Sequence, residues 1–513
     1  MGRDTFFITT PIYYANDVPH IGHAYTEVAS DFIARYHRLR GDDVFFLTGT
    51  DEHGLKVARA AEGKGVSPKA WTDSLEPRWR EVWDRLDIDY DDYIRTTEPR
   101  HHEAVAKILR AVHDNGRDDI YMGTYEGLYC VSCEAYYVED ELVDGRCPIH
   151  GRPVEQMREE NYFFRLSAYR DRLLEHYGRN PTAVEPEQRR NEVVSLIEGG
   201  LQDFSISRTT FDWGVPLPWD EAHVTYVWFD ALTNYITAAG YESDPERFAR
   251  QWPANMHMIG KDILRFHAVY WPAMLMAAGI EPPTQVWAHG YLLVGGEKMS
   301  KTKLTGIHPF ELIDHFGVDS YRYYFMREIS FGQDGNFSWE SMTERHNADL
   351  ANGLGNLASR VLAMLASYFD GVVPEPVVAG AESDLPAVIE GALRRYDEHV
   401  LAVQLQPALA AVWDIVARSN HYLVEKEPWK LAKDEANRDE LASVLYAAAE
   451  TLRVLAIAIG PIMPSAAERL WAQLGQTEPL STQRLPDAGV WGGLEVGTKT
   501  SKGESLFPRL EAG

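Results

Sequence analysis

Cysteine is scarce: the chain has three in 513 residues, all between Cys130 and Cys147. That scarcity argues against a disulfide framework, and the clustering points to a metal knuckle instead. Long apolar runs are lacking too. The longest stretch worth testing as a membrane span, Leu452 to Met463, carries Arg453 and Pro461 and stops at Pro464. A span needs roughly 20 residues, so no membrane segment is expected. Basic residues are outnumbered, 50 Lys plus Arg against 77 Asp plus Glu, for a net charge of -27. Such a protein repels a polyanion on average, which argues against indiscriminate nucleic-acid binding; any RNA partner must be held locally. No basic segment leads into a long apolar stretch near the N-terminus, and Phe6 stands where a myristoylation signal carries Ser or Thr. A cytoplasmic location is expected. No internal repeat and no low-complexity tract is found.

The length calls for two to four domains, and 45% apolar residues is ordinary for a folded protein. Thr5–Thr10 reads as a strand, Pro11–Pro19 as an irregular turn, Ala24–Arg40 as a helix and Val44–Thr48 as a second strand. This is the repeating unit of a parallel sheet that binds ligands at the carboxyl ends of its strands. Strand patterns resume at Val224–Phe229, Met256–Ile259 and Val286–Val294, so the sheet is predicted to be split by an insertion over roughly 116–210. From Asn347 the composition turns Ala- and Leu-rich with helical spacing in Leu350–Phe369, Glu390–Ser419 and Leu441–Ile459, which predicts a helical bundle. Gly371–Pro386 reads as a loop, and the chain after about Gly475 as an irregular tail.

Three motifs carry chemistry. His20-Ile-Gly-His23 lies where the first strand hands over to a helix, whose unpaired N–H groups, with Gly22 permitting close approach, suit a nucleotide phosphate; the plainer reading is a pair of capping histidines. Gly295-Gly-Glu-Lys-Met-Ser-Lys-Thr302 follows a strand and puts Lys298, Ser300 and Lys301 on one flexible loop. It is able to close over a polyphosphate, or to be no more than a solvated lysine loop. Cys130-x2-Cys133-x13-Cys147-x2-His150 has the spacing of a closed, tetrahedral structural zinc site, against the reading of incidental thiols.

Taken together, the two phosphate-seeking motifs resemble the paired signatures of the class I aminoacyl-tRNA synthetases, with Thr302 in place of a final Ser. Pro11–Asn16, Thr50–Gly54, Tyr226–Asp230 and Ile259–His267 are similar to the methionine-specific members, over nearly the whole chain. The resemblance implies an α/β fold: a Rossmann-like parallel-sheet catalytic domain in two halves (1–115 and 211–290), split by a zinc-bearing connective insertion (116–210). A stem-contact region (291–346), an α-helical anticodon-binding domain (347–475) and a tail (476–513) complete it.

The implied activity is attack of the methionine carboxylate on the α-phosphate of ATP, then transfer of the methionyl group to the terminal ribose of tRNA(Met), the initiator included. His20, Gly22, His23, Lys298, Ser300 and Lys301 would hold ATP, with Mg2+ on the nucleotide; His20, His23, Lys298 and Lys301 would serve catalysis. Asp51 would take the substrate ammonium, unless it is a helix cap, and Arg208 would help orient it. Ile12, Tyr14, Trp228, Ala231, Tyr235, Ile259 and His267 match pocket positions of the family, though aromatic residues at such spacings are also ordinary core, and Asp262 would lie nearby. Asn356 and Arg360, four apart on one helix face, and Trp429 after Pro428 correspond to anticodon readers, or else to packing residues. With no cysteines left for a second knuckle, one structural Zn2+ at most is expected, and a monomer.

Three other readings compete. Leucine, isoleucine or valine enzymes carry a large editing insertion for which this chain has little room. A small-molecule nucleotidyltransferase would have no use for the helical region, and intact His20, His23, Lys298 and Lys301 disfavour a non-catalytic RNA-binding paralogue.

Overall fold

The structure, a computed structural model, describes residues 5–131, 135–137, 139–149, 151–294, 297–298 and 307–511. Its centre is a seven-stranded, wholly parallel sheet. β1 (Thr5–Thr9) is flanked by β3 (Asp43–Asp51) and the strand Met256–Gly260; β2 (Tyr13–Tyr14) and β4 (Asp92–Arg95) both pair with β3. The Met256–Gly260 strand continues to Val286–His289 and then to the short strand Val184–Glu185. Strands buried on both faces explain the near-continuous apolar run Val44–Leu47. Gly49 is required within β3, because a Cβ there would stand 2.0 Å from the Ile94 carbonyl oxygen.

The two faces of the sheet enter different cores. Ile8, Phe46 and Met258 share one with α1 (Ile21–Arg40), the helix Val318–Glu328 and the C-terminal bundle. Phe7, Phe45, Leu47 and Ile259 pack against the helices Pro99–His113, Arg170–Arg179 and Glu187–Glu198 on the other side. The period-two alternation of strand side chains produces this division. Between catalytic half and bundle stands Arg322, fully buried, donating to Asp31 on α1 (2.5 Å) and to the carbonyls of Leu86, Asp87, Pro461 and Ile462.

Several elements differ from the sequence expectation. The 116–210 span holds an antiparallel sheet, with Ile120–Cys130 paired along Glu155–Phe164, yet its Val184–Glu185 strand joins the main sheet. Two residues before a proline carry no readable periodicity. The run Val224–Phe229 is a strand only to Thr225, and Val227–Leu232 is helix; short, wholly buried apolar runs look alike in either form. Val286–Val294 breaks at Gly290, where a Cβ would meet the Gln333 backbone at 2.3 Å, and Leu292–Val294 pairs with Gly335–Phe337 instead. Glu390–Ser419 is two helices, Leu385–Leu401 and Leu405–Lys426, parted at Val403 with φ 56°. The helix Glu435–Ile459 is long and apolar enough by composition to cross a membrane, but that apolar window is wholly buried in the bundle. The tail is irregular and firmly held: buried Glu450 accepts from the amides of Gly492, Gly493 and Leu494 and pairs with Arg453.

Candidate active site

His20 is the N-cap of α1. Its Nδ1 accepts from the Gly22 amide (3.1 Å), and His23 Nδ1 accepts from the His20 amide (3.2 Å), a reciprocal capping box built from imidazoles. Two accepting Nδ1 atoms leave each neutral ring with its proton on Nε2, a donor placed at a positive helix end. The rings stack at 3.7 Å, and His23 leans on Tyr13 (4.9 Å) and Trp79 (5.2 Å). Capping and phosphate binding are therefore compatible duties. One turn beyond His23, Thr10 donates to Thr48 (2.8 Å) and Thr48 to buried Glu27 (2.6 Å). Burial pushes the Glu27 carboxyl up to about 7.

Glu297–Lys298 pairs antiparallel with Leu292–Val294. Ser300, Lys301 and Thr302 lie outside the described residues. The chain re-enters at Ile307, whose carbonyl accepts from the Ile21 amide (3.3 Å) inside the first motif.

The apolar pocket residues converge. Tyr14 meets Trp228 edge-on at 6.4 Å; Trp228 stacks on Phe266 at 3.7 Å and lies edge-on to His267 at 6.3 Å. His267 Nδ1 faces the Ile263 carbonyl (3.0 Å) and so carries the proton, which leaves Nε2 to accept from the Tyr235 hydroxyl (2.8 Å). Burial lowers His267 to about 4, so the ring is neutral at physiological pH. Tyr235 also stacks on His257 (4.1 Å), which bonds Thr9 and Trp271. Ala231 is buried beside Trp228 on the same helix, Ile259 is buried in its strand, and Ile12 is half-buried against this core. Asp262 is exposed and close enough to act electrostatically on His267. Phe266 is the pocket residue the sequence reading passed over; its only local signal was adjacency to His267.

Asp51 ends β3, 3% exposed, and its Oδ1 accepts from the His53 amide at 3.4 Å. Its neighbour Glu52 is held by Arg95, Thr50 and Thr97. Arg208 is 1% exposed, bonded to Ser205 and the Ser207 carbonyl, with its guanidinium 4.3 Å from the Tyr226 ring and 5.7 Å from that of Tyr129 in the insertion.

Of the four expected zinc ligands, Cys130 and Cys147 are buried, while Cys133 and His150 lie outside the described residues. Cys147 opens a tight turn in which its carbonyl accepts from the Gly151 amide (2.8 Å). Among the described residues no three metal-binding side chains converge.

In the bundle, Asn356 is exposed and Arg360 half-buried on the helix Asn356–Tyr368. The Arg360 guanidinium lies 5.4 Å from the ring of Trp429, which is half-buried on the short helix Pro428–Leu431. Positions some seventy residues apart thus form one patch.

The family model for "tRNA synthetases class I (M)" matches residues 6–156 and 140–362, and that for the "Anticodon binding domain of methionyl tRNA ligase" matches 373–512. The methionine–tRNA ligase of Streptomyces coelicolor is 51% identical over 99% of this chain and 97% of its own length. That of Bacillus subtilis is 46% identical over 99% of this chain and 78% of its own. Among solved structures, Mycobacterium tuberculosis methionyl-tRNA synthetase in complex with methionyl-adenylate is 47% identical, covers 99% of this chain and 100% of its own, and superposes with a TM-score of 0.94. The apo form of that enzyme gives 0.88 at 43% identity, over 100% of this chain and 99% of its own. With the two models matching both halves of the chain and relatives this similar over nearly its full length, the chain belongs to the methionine branch of the class I aminoacyl-tRNA synthetases.

Proposed function

We propose a division of labour for this chain as an ATP-dependent methionine–tRNA ligase. His20 and His23, through Nε2–H, and the amides at the start of α1 hold the ATP phosphates, and Lys298, Ser300 and Lys301 close over the β- and γ-phosphates. A methionine carboxylate oxygen attacks the α-phosphorus, the bond to the β-phosphate oxygen breaks, and pyrophosphate leaves with its charge neutralised by the lysines. Mg2+ carried by the nucleotide would screen the same charge. The terminal ribose hydroxyl of tRNA(Met) then attacks the methionyl carbonyl, and AMP departs. Asp51 receives the substrate ammonium with Arg208 orienting it, and the thioether packs among Ile12, Tyr14, Trp228, Ala231, Tyr235, Ile259 and His267. Neutral, bonded rings suit a group that offers dispersion and almost no hydrogen bonding.

The observation that carries this reading is the Ile21–Ile307 bond, which ties the far end of the lysine loop to the histidine-capped helix. Its test is amino-acid-dependent pyrophosphate exchange into ATP across all twenty amino acids. Methionine alone should drive it at full rate; equal exchange with leucine overturns the assignment.

The same reading gives Asn356, Arg360 and Trp429 to the anticodon, and assigns one structural zinc to Cys130, Cys133, Cys147 and His150, bound with loss of thiol protons. The burial of Cys130 and Cys147 and the turn that the Cys147 carbonyl closes with the Gly151 amide support that ligand set. Elemental analysis should find one zinc per chain; well under one, with all three thiols freely titratable, removes it. The enzyme is expected to act as a monomer in the cytoplasm.

A further inference from the structure

Behind the methionine pocket lies a buried polar cluster that the division of labour above does not use. Asp230, 0% exposed, sits between Trp228 and Ala231 on the helix Val227–Leu232. Its Oδ2 accepts from His53 Nδ1 (2.6 Å) and its Oδ1 from His101 Nε2 (2.7 Å). His101, also 0% exposed, belongs to the helix Pro99–His113.

His101 Nδ1 lies 3.2 Å from the Thr237 hydroxyl oxygen, which also lies 2.9 Å from the Thr233 carbonyl. A carboxylate only accepts, so His53 Nδ1 and His101 Nε2 each carry the proton that they donate to Asp230. Burial pushes the Asp230 carboxyl up, but His53 and His101 hold it well below the usual range. His102, the remaining titratable ring facing the cluster, is lowered by burial and then by His53 and His101.

The cluster joins three segments that build the pocket. His53 follows Asp51 by two residues and its amide donates to the Asp51 carboxylate (3.4 Å). Asp230 shares a helix with Trp228 and Ala231, and Thr237 shares the next helix with Tyr235. We propose that Asp230 is a positioning residue for methionine, its carboxylate bridging His53 and His101 to hold the Asp51 loop in register with the Trp228 and Tyr235 helices. A buried carboxylate stripped of a partner is costly, so the bridge fixes geometry more than it adds stability. The proposal rests on the methionine assignment of the pocket.

The test has two arms on the full-length enzyme. Nitrogen NMR of 15N-histidine-labelled protein, with His101 identified by its loss in His101→Gln, should show a proton on His101 Nε2. A ring whose Nε2 lacks that proton overturns the bridge. In pyrophosphate exchange, Asp230→Asn should raise KM for methionine by roughly 10- to 150-fold, the worth of a hydrogen bond to a charged group, with KM for ATP within about twofold. If Asp230→Asn does not fold, His101→Gln carries the same comparison. Methionine and ATP constants moving together, or neither moving, overturns the positioning role. Trp228→Ala separates the two readings: if it too leaves methionine KM unchanged, the pocket assignment has failed; if it alone raises KM, only the clamp has.

Discussion

In the catalytic half, His257 and His267 are buried against Tyr235, His257 stacked on its ring and His267 tilted to it, and each is bonded through both ring nitrogens. In the helical half, Trp429 lies half-buried at a helix start with the Arg360 guanidinium over its ring. Both places are aromatic, and in the roles proposed for them they would meet opposite demands. A thioether offers almost no hydrogen bonding, so the proposed pocket would select it by packing against walls fixed before the ligand arrives. A splayed base brings its own flat face, and a ring that stays reachable would be enough to stack on it. The difference also fits an acidic protein that recognises RNA: at a net charge of -27, a few local contacts must carry what a global positive field cannot.

The largest effect that would sharpen this contrast is at Asp51. Asp51→Ala should lower methionine-dependent pyrophosphate exchange by on the order of 10²- to 10³-fold, because a buried partner for the ammonium is removed. Binding of tRNA, measured by filter retention, should stay unchanged. An equal loss in both would show that the two regions are not separable.

Homocysteine probes the same rigid cavity from the ligand side. Lacking one methyl, it should be disfavoured at the activation step by roughly 10- to 200-fold, the worth of a missing methyl(ene) group. Discrimination of several thousandfold at that step would mean that something more than packing selects methionine.

Trp429→Ala should cost about 1–3 kcal/mol in aminoacylation at limiting tRNA, the usual worth of base–aromatic stacking, with exchange in the absence of tRNA hardly altered. Loss of both activities together with a lowered melting temperature would make Trp429 a packing residue and erase the contrast.

The smallest effect concerns pH. Burial raises Glu27 to about 7 in the folded chain, so the folded state holds this proton more tightly than the unfolded one. The corresponding stability is fully present below the ordinary carboxyl range and is lost as pH rises through about 7. Glu27→Gln keeps an acceptor for Thr48 and cannot ionise. The melting temperature of the variant should therefore gain on the parent between pH 5 and pH 8, and a difference that stays flat would place the proton elsewhere.

The candidate site was open to reading because its expected residues sit in short contiguous stretches. His20 to His23, Thr50 to Gly54 and Tyr226 to Asp230 each carry their chemistry within five residues of one another. Phe266 and Trp79 were not legible, since each does its work through a contact with a ring distant in the chain, Trp228 and His23 respectively. Arg322 reads as one more arginine on an aromatic-rich helix, yet it bonds five groups drawn from α1, the Leu86–Asp87 turn and the bundle. Element boundaries slipped where burial on every side removed the periodic signal, as at Tyr226–Phe229, or where backbone proximity forced a break, as at Gly290.

The sequence by itself determined which chemistry is present: capping histidines ahead of a long helix, a Gly- and Lys-rich loop after a strand, an acidic chain whose helical half is rich in Ala and Leu. Those are local properties, set by what each side chain donates, accepts or buries within a few residues of itself. Only the tertiary structure decided that Ile21 meets Ile307, that Arg360 lies over Trp429 and that Asp230 holds His53 and His101 together. The Asp230 bridge exists only once His53, His101 and Thr237 have been packed beyond the reach of water.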